Sequence, residues 1–408
     1  TDGRNPGDWG GVIILGNGIN NQGSSVVEGG LDAIKAAYGG SAANDNSGVF
    51  QFVRIEFAGF PFQPDKEING LTFGAVGSAT TVDHIQVSFS NDDSYEFFGG
   101  SVNCKYLIAY RGIDDDFDTD FGYSGKVQFG LIIRDPNLAD QCACSTSEGF
   151  ESDNDAAGSY LKPKTSAVFS NITLIGPYRG NTSNTIDAKF KRALRIRKNS
   201  GISVFNSVFT DFPAGLHFDG SAVEKNATYD TLAFKNNVLA GMATGKNLQL
   251  NAGSTFDIKS FFGSNNNDSL ATTAGLFVRA YDFLNPDFRI PVGSALLTGA
   301  NFNHAKVDTI VGNPVGIESI SKSAVGITLY PNPASDNVSL NISLKSTSTV
   351  NVEVFDVTGK LVINTEKANY QAGNHLINMD ASSLTKGIYL VKVLNNQEVK
   401  TLKLSVIK

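Results

Sequence analysis

Apolar and polar positions alternate along this chain in short runs, and the runs recur. In Asp114-Asp115-Asp116-Phe117-Asp118-Thr119-Asp120-Phe121-Gly122-Tyr123-Ser124-Gly125 an acidic cluster leads into alternating apolar and charged residues and then glycine. The same order stands 22 residues earlier (92 to 114) as Asp92-Asp93-Ser94-Tyr95-Glu96-Phe97-Phe98-Gly99-Gly100, and upstream Val82, Ile85 and Val87 fall on Cys104, Leu107 and Ala109. A repeat of this length predicts stacked supersecondary units rather than one globular core. Alternation of period two makes each unit a coil of short strands. The Leu-x-x-Leu-x-Leu signature of a leucine-rich repeat is missing, so the reading is a right-handed parallel β-helix.

In chain order, Val12–Leu15 is a short apolar run bounded by glycines, hence a buried strand. Phe52–Phe57 alternates and pairs in its coil with Ile68–Gly74. Further coils use 82–100, 104–125 and 127–155, the last with an insertion near 136–146. Val168–Ile175 with Ala193–Arg197 forms another around a polar loop at 177–192, and 202–220 and 232–250 continue the stack. Asp32–Ala37 could make one helical turn. From 256 to 311 the period is lost while aromatic residues persist, which predicts a cap over the terminal coil. Residues 312–326 read as a linker. Beyond it, six short alternating segments between Val338 and Val406 predict a small Ig-like β-sandwich over 327–408. The expectation is all-β: a β-helix over 1–311 with its cap, a linker, and a sandwich.

Strand alternation assigns faces. Tyr95/Phe97, Phe117/Thr119, Phe150/Ser152, Leu194/Ile196 and Leu216/Phe218 should point inward. Their neighbours then form one outward column of Thr72, Glu96, Asp118, Glu151, Arg195 and His217. A second column holds Gly74, Phe98, Asp120, Asp153, Arg197 and Asp219. Parallel strands lie about 4.8 Å apart, so each column is a continuous ladder.

Composition narrows the classes. Gly 42 and Phe 28 against Met 2 suit strands and tight turns. A net charge of −7 offers no basic stripe for nucleic acid. No apolar run is long enough to span a membrane. The chain opens at Thr1-Asp2-Gly3 without a leader pattern, as a processed or trimmed product would. Three cysteines are too few for a disulfide framework; Cys142-Ala143-Cys144 lacks the partners of a metal site, and loop cysteines, one of them bridged to Cys104, fit better.

The C-terminal segment resembles the type A sorting domain of the Bacteroidetes type IX secretion system. Tyr330-Pro331-Asn332-Pro333, Val354–Lys360 with its Gly359-Lys360, Gly387-Ile388-Tyr389-Leu390-Val391-Lys392-Val393 and the terminal Lys403–Lys408 carry the likeness. It implies export across the outer membrane through the translocon, delivery by a PorV-type shuttle protein, and removal of the domain after export. Residues 8–176 are similar to a family of secreted bacterial proteins with no assigned activity, through Gly7-Asp8-Trp9-Gly10-Gly11, Glu67–Thr72, Asp114–Gly125 and Gly149–Asn154. That likeness implies a fold and an incomplete first coil, and supplies no catalytic residues.

Candidate chemistry gathers on the acidic turns. Asp116-x-Asp118-x-Asp120-x-Gly122 has alternate carboxylates, but position twelve of an EF-hand would be Val127, so that loop is excluded. Gly122–Val127 lacks the Ser or Thr of a phosphate loop. Asp92, Asp93, Asp114, Asp115 and Asp116 cluster at ladder spacing, where like charges repel unless a cation, an arginine or a proton intervenes. The readings are a Ca²⁺ site or a plain turn ladder satisfied by backbone amides. The face of Glu96, Asp118, Asp120, Glu151, Asp153, Arg195, Arg197, His217 and Asp219 could be a groove for acidic glycans, binding them or acting as a polysaccharide lyase or glycoside hydrolase. Its bland counterpart is a ladder of opposite charges that pair with each other. Trp9 is the only tryptophan, and no sugar-stacking platform shows in the sequence. Thr231, Ser269 and Thr309, each after an aspartate, resemble Bacteroidetes O-glycosylation sites. Three roles therefore stand: an adhesin or structural passenger, an enzyme on uronate-rich glycans, or a passive glycan- or ion-binding module.

Overall fold

The computed structural model describes every residue except 1–2, 28–32, 64–65, 143–144, 308–326, 345, 357–358 and 396–397. The linker expected at 312–326, Thr309, and part of the helical turn expected from Asp32 lie outside the described residues. Two compact units divide at Asn313 and Pro314.

The first unit is the β-helix. One parallel sheet of eight strands runs Val12–Leu15, Leu71–Gly74, Tyr95–Phe98, Phe117–Asp120, Phe150–Ser152, Arg192–Arg197, Ala214–Asp219, Leu248–Leu250. A second parallel sheet starts with the eight-residue strands Val49–Glu56, Thr81–Ser88, Asn103–Tyr110, Lys126–Ile133 and Val168–Ile175. Its register sets Cys104, Leu107 and Ala109 on Val82, Ile85 and Val87, as the repeat requires. Side chains from both sheets fill one interior in rows. Phe73 stacks on Phe97 at 5.0 Å and Phe97 on Tyr123 at 4.5 Å, while Tyr95 stacks on Phe117 at 5.2 Å. Phe73, Tyr95, Phe97, Phe117 and Phe150 are wholly buried, each contributing about 1.5–3 kcal/mol on the usual transfer scale.

Each strand of the second sheet bends at one residue in the left-handed region. These residues are Phe52, His84, Tyr106, Phe129, Asn171, Asn206, Asn236 and Asn266, with φ between 53° and 64°. The register runs on either side of them and skips the bend itself. Phe52 therefore does not begin an alternating strand: the strand starts at Val49, and the Phe52 ring turns outward, 76% exposed. Asparagine and histidine enter this conformation more readily than phenylalanine or tyrosine do, so the bends at Phe52, Tyr106 and Phe129 need another source of stability.

The tail of the first unit serves two purposes. Helix Ile258–Ser264, N-capped by Asp257, seats Phe261 on Phe218 at 5.4 Å and Phe262 on Phe234 at 6.1 Å, closing the end of the core. The chain after it does not cap. Phe283 meets Tyr110 at 6.5 Å, Ile290 and Leu296 lie beside Val208 and Val238, and Asn301 exchanges hydrogen bonds with Asn206. It is a strap along the outside of the second sheet, which corrects the reading of all of 256–311 as an end cap. Helix Ser221–Thr228 is a further departure, inserted between two coils with Val223, Asn226 and Ala227 buried.

The second unit is an antiparallel sandwich. One sheet joins Ile327–Tyr330, Asn337–Leu344 and Gly373–Asp380; the other joins Leu361–Asn364, Ser348–Phe355, Gly387–Asn395 and Glu398–Val406, with Ala368–Tyr370 on Ser348–Phe355. Val338, Leu340, Ile342, Val352, Val391, Val393 and Leu404 form its separate core.

Candidate functional site

The two columns exist as read from alternation. Thr72 pairs with Glu96, Glu96 with Asp118, Asp118 with Glu151, Glu151 with Arg195, and Arg195 with His217. In the second column Gly74 pairs with Phe98, Phe98 with Asp120, and Arg197 with Asp219. Asp153 lies one residue past its strand but accepts from Arg197 Nε at 2.7 Å. The face is far less wet than an outward ladder should be. Thr72, Glu96 and His217 are buried, and the turn carboxylates Asp93 and Asp115 converge on the middle of the column at Glu96, Asp118 and Glu151.

The burial is charged, and arginines answer part of it. Arg195 bridges Glu151 at 3.3 Å and Asp219 at 2.7 Å; Arg197 bridges Glu151 and Asp153; Arg192 holds Glu148 at 2.6 Å. Arg134 and Asp116 form a pair at 2.9 Å with neither side chain exposed at all, and Arg134 also donates to Ile113 O and lies over the Phe190 ring. Burial would lower Arg197, but the Glu151 and Asp153 carboxylates outweigh it and hold its pKa above the ordinary arginine value. Arg195 is raised in the same way by Glu151 and Asp219. Burial lowers His217, helped by Arg192, and its Nε2 meets Asn251 Oδ1 at 2.9 Å.

At the other end of the row, carboxylates face one another. Three overlapping sets bring single carboxylate oxygens within 4.8 Å: Asp92, Asp93 and Asp114; Asp93, Glu96 and Asp118; Asp115, Asp118 and Glu151. Asp118 is common to two of them, and its Oδ1 is buried without a hydrogen bond from the described residues. Asp116, grouped with these by sequence, belongs to none of the sets and faces Arg134 instead. Burial, then neighbouring carboxylates, drives Asp93, Asp114 and Asp118 well above the usual carboxylate range. The same causes put Glu151 at about 8 and Glu148 at about 7. Asp120 is also at about 7, through burial against the Phe121 amide. An all-oxygen, highly acidic donor set suits a hard divalent cation such as Ca²⁺.

A second surface went unread in the sequence. Phe52, His84, Tyr106 and Phe129, all at bends of the second sheet, stack in a column with centroids 4.5, 4.5 and 5.1 Å apart. Their edges wall an open groove of about 590 Å³ whose floor includes Arg54, Gln86, Ile108, Leu131 and Thr173, with Phe288 of the strap at its border. The expectation of no stacking platform rested on the single tryptophan. The signal present was an aromatic or imidazole ring at 52, 84, 106 and 129, the same place in successive coils.

The smaller expectations sort simply. Cys104 is free and buried, not bridged, and Cys142 is disulfide-bonded. Thr231 and Ser269 are exposed. In the sandwich, Asn332 ties the Tyr330-Pro331-Asn332-Pro333 block to the last strand: its Nδ2 donates to Lys403 O at 2.7 Å and its Oδ1 accepts from Ser405 N at 2.9 Å. Gly359 takes φ +83° in a turn where Lys360 N donates to Asp356 Oδ1 at 3.0 Å. Gly387 begins a strand, Tyr389 is buried and donates to Thr385 O at 2.8 Å, and Lys408 Nζ reaches Ser382 O.

Comparison with known proteins agrees with this division. Residues 1–280 match the pectate-lyase-like β-helix domain, and the chain belongs to that family. Residues 328–408 match the secretion system C-terminal sorting domain, so this is a β-helix exported by the type IX secretion system to the cell surface or beyond. No curated protein matches the chain. Among solved structures, dimeric latent PorU from Porphyromonas gingivalis is 22% identical over 20% of this chain and 9% of its own, with a TM-score of 0.18, which adds nothing to the fold. No described helix is long and apolar enough to cross a membrane.

Proposed function

We propose that the exported β-helix is a cation-stabilised, glycan-binding passenger with an adhesive role, and that it does not turn its ligand over. The observation that carries this is the state of the arginines on the acidic face. Arg134, Arg192 and Arg197 each hold an ion pair with a buried carboxylate, and Arg195 bridges the part-buried Glu151 and Asp219. Arg195 and Arg197 are pushed away from deprotonation. Uronate elimination needs a base that can be neutral near working pH, and these are not. The aromatic groove is open and of ligand size, with the polar ends of Arg54, Gln86 and Thr173 among apolar side chains.

Asp118, with Asp93 and Glu96 or with Asp115 and Glu151, would hold the cation, which offsets the like charges gathered in that part of the row. A PorV-type shuttle is the expected receptor of the sorting tail. The test is a panel of acidic and neutral polysaccharides scored for retention and for products. Retention without ultraviolet-absorbing unsaturated ends is expected. Absorbance that grows with the full chain and vanishes in Arg197→Lys would overturn it. One observation favours hydrolysis as a second reading: Glu148 and Glu151 titrate near neutrality, as a general acid does. New reducing ends, abolished by Glu151→Gln, would establish that alternative.

A further inference from the structure

The channel walled by the aromatic column continues past its last ring. At the bends, Phe52, His84, Tyr106 and Phe129 are followed in later coils by Asn171, Asn206 and Asn236. Beside them the floor runs on in register from Leu131 to Thr173, then to Val208 and Val238. At about 4.8 Å per coil the ringed part is about 14 Å long, and the bends from Phe52 to Asn236 span about 29 Å. Only the first part is open. Over the second lies the strap, with Phe288 at the boundary and Ile290 and Leu296 roofing a void of about 190 Å³.

The strap fits this stretch poorly. Its apolar roof stands over Asn171, Thr173, Asn206 and Asn236, and none of the residues lining the void is ionisable. Among the described residues, the side chains of Thr173 and Asn236 make no hydrogen bond. Polar groups roofed by apolar side chains are better met by a ligand that carries hydroxyls. The strap is held at its two ends. Tyr281 Oη donates to Asp211 Oδ2 at 2.5 Å, and the Phe283 ring lies between the Arg111 and Arg179 guanidiniums at 4.8 and 4.2 Å. At the other end Asn301 N donates to Asn206 Oδ1 at 2.8 Å, and Lys306 Nζ donates to Thr231 O at 2.7 Å. Between these anchors, residues 284–300 hydrogen-bond only within the strap among the described residues, as Ser294 Oγ does to Leu276 O at 3.2 Å. None of them is buried, and Leu284 and Val292 are fully exposed. A segment tethered at both ends and loosely packed between them can lift without unfolding the coils beneath.

We propose that the covered stretch is a second set of subsites for an uncharged glycan, entered when residues 284–300 lift, so that the aromatic groove and the asparagine row bind one continuous chain. This rests on the glycan-binding reading. The probes are the disaccharide and the octasaccharide of whichever uncharged polysaccharide the full chain retains. Trypsin reports on the strap, since the Arg289 side chain is 81% exposed. The octasaccharide should bind at least tenfold tighter than the disaccharide and speed cleavage after Arg289 at least threefold, while the disaccharide leaves that rate unchanged. Asn236→Gly keeps the left-handed bend and removes the amide. It should cancel most of the octasaccharide's advantage and leave disaccharide binding unchanged. Equal binding of the two, or cleavage that the octasaccharide slows or leaves alone, would make the strap a fixed wall and overturn the subsites while glycan binding stands. An advantage that survives Asn236→Gly would overturn them as well. Retention of acidic polysaccharides only would overturn the uncharged class, and retention of none would overturn the glycan-binding reading itself.

Discussion

At the scale of single residues, a wholly buried ion pair sets the sharpest expectation. Arg134 and Asp116 have no exposed side-chain surface and face each other at 2.9 Å. Removing one partner strands the other as a buried charge, which costs about 3–5 kcal/mol, whereas replacing both with apolar groups of similar size is close to neutral. Arg134→Met should therefore lower the melting temperature sharply, and adding Asp116→Leu should restore much of it. Equal loss in the single and double variants, by denaturant unfolding, would show that the pair is not what holds this site. Neither role was legible beforehand. Asp116 stood in a run of acids that looked uniform, and Arg134 preceded an insertion with no repeat to place it. Which acid of a run meets the arginine depends on how a turn folds over a sheet, and alternation says nothing about turns.

The other acids give a pH dependence. Glu151, Glu148 and Asp120 have folded-state values of about 8, 7 and 7, above their ordinary values of 4.5, 4.5 and 3.8. A raised value means that the folded chain keeps protons which the unfolded chain has released. Stability from these groups is full below about pH 4 and is lost as pH rises through 7 to 8. In chelator, the melting temperature should fall steadily from pH 5 to pH 8. Added Ca²⁺ should flatten that slope, since bound cation replaces the protons. A profile in chelator that is flat or rises toward pH 8 would contradict the burial assigned to Glu151.

At the scale of elements, the coils were readable because their inward rows repeat in residue type, and the register follows from that alone. The bends were not readable, since a left-handed residue is announced by asparagine or glycine, and the first four carry Phe52, His84, Tyr106 and Phe129. Left-handed backbone costs a non-glycine residue about 1–2 kcal/mol. A stacked aromatic neighbour returns roughly 0.5–1.5 kcal/mol, so the column nearly offsets its own strain. Later coils place Asn171, Asn206, Asn236 and Asn266 at the same point, which is the stable solution without rings. Tyr106→Asn should accordingly change stability by less than about 1 kcal/mol on these opposing magnitudes. It should also weaken glycan retention, because the ring forms part of the groove wall. Retention unchanged in Tyr106→Asn would remove the groove from the proposed function. The strap was misread for a related reason: loss of period marks the end of stacking, and does not say whether the chain then covers the end or the side.

At the scale of the whole molecule, two cores imply two melting events. The β-helix interior runs as one cluster from Ile55 to Phe262, and the sandwich has its own from Ala334 to Val406. Every carboxylate set suited to a cation lies in the first unit among the described residues. A ligand that binds one folded unit stabilises that unit by mass action and leaves an independent one untouched. Calorimetry of the full chain should show two transitions, with millimolar Ca²⁺ raising one and chelator lowering the same one. Cutting between residues 313 and 327 should leave the calcium-sensitive transition with the β-helix and the insensitive one with the tail. If Ca²⁺ moves neither transition, the acidic row holds no cation and its carboxylates are neutralised by protons and by the neighbouring arginines; if it moves both together, the two units do not melt independently.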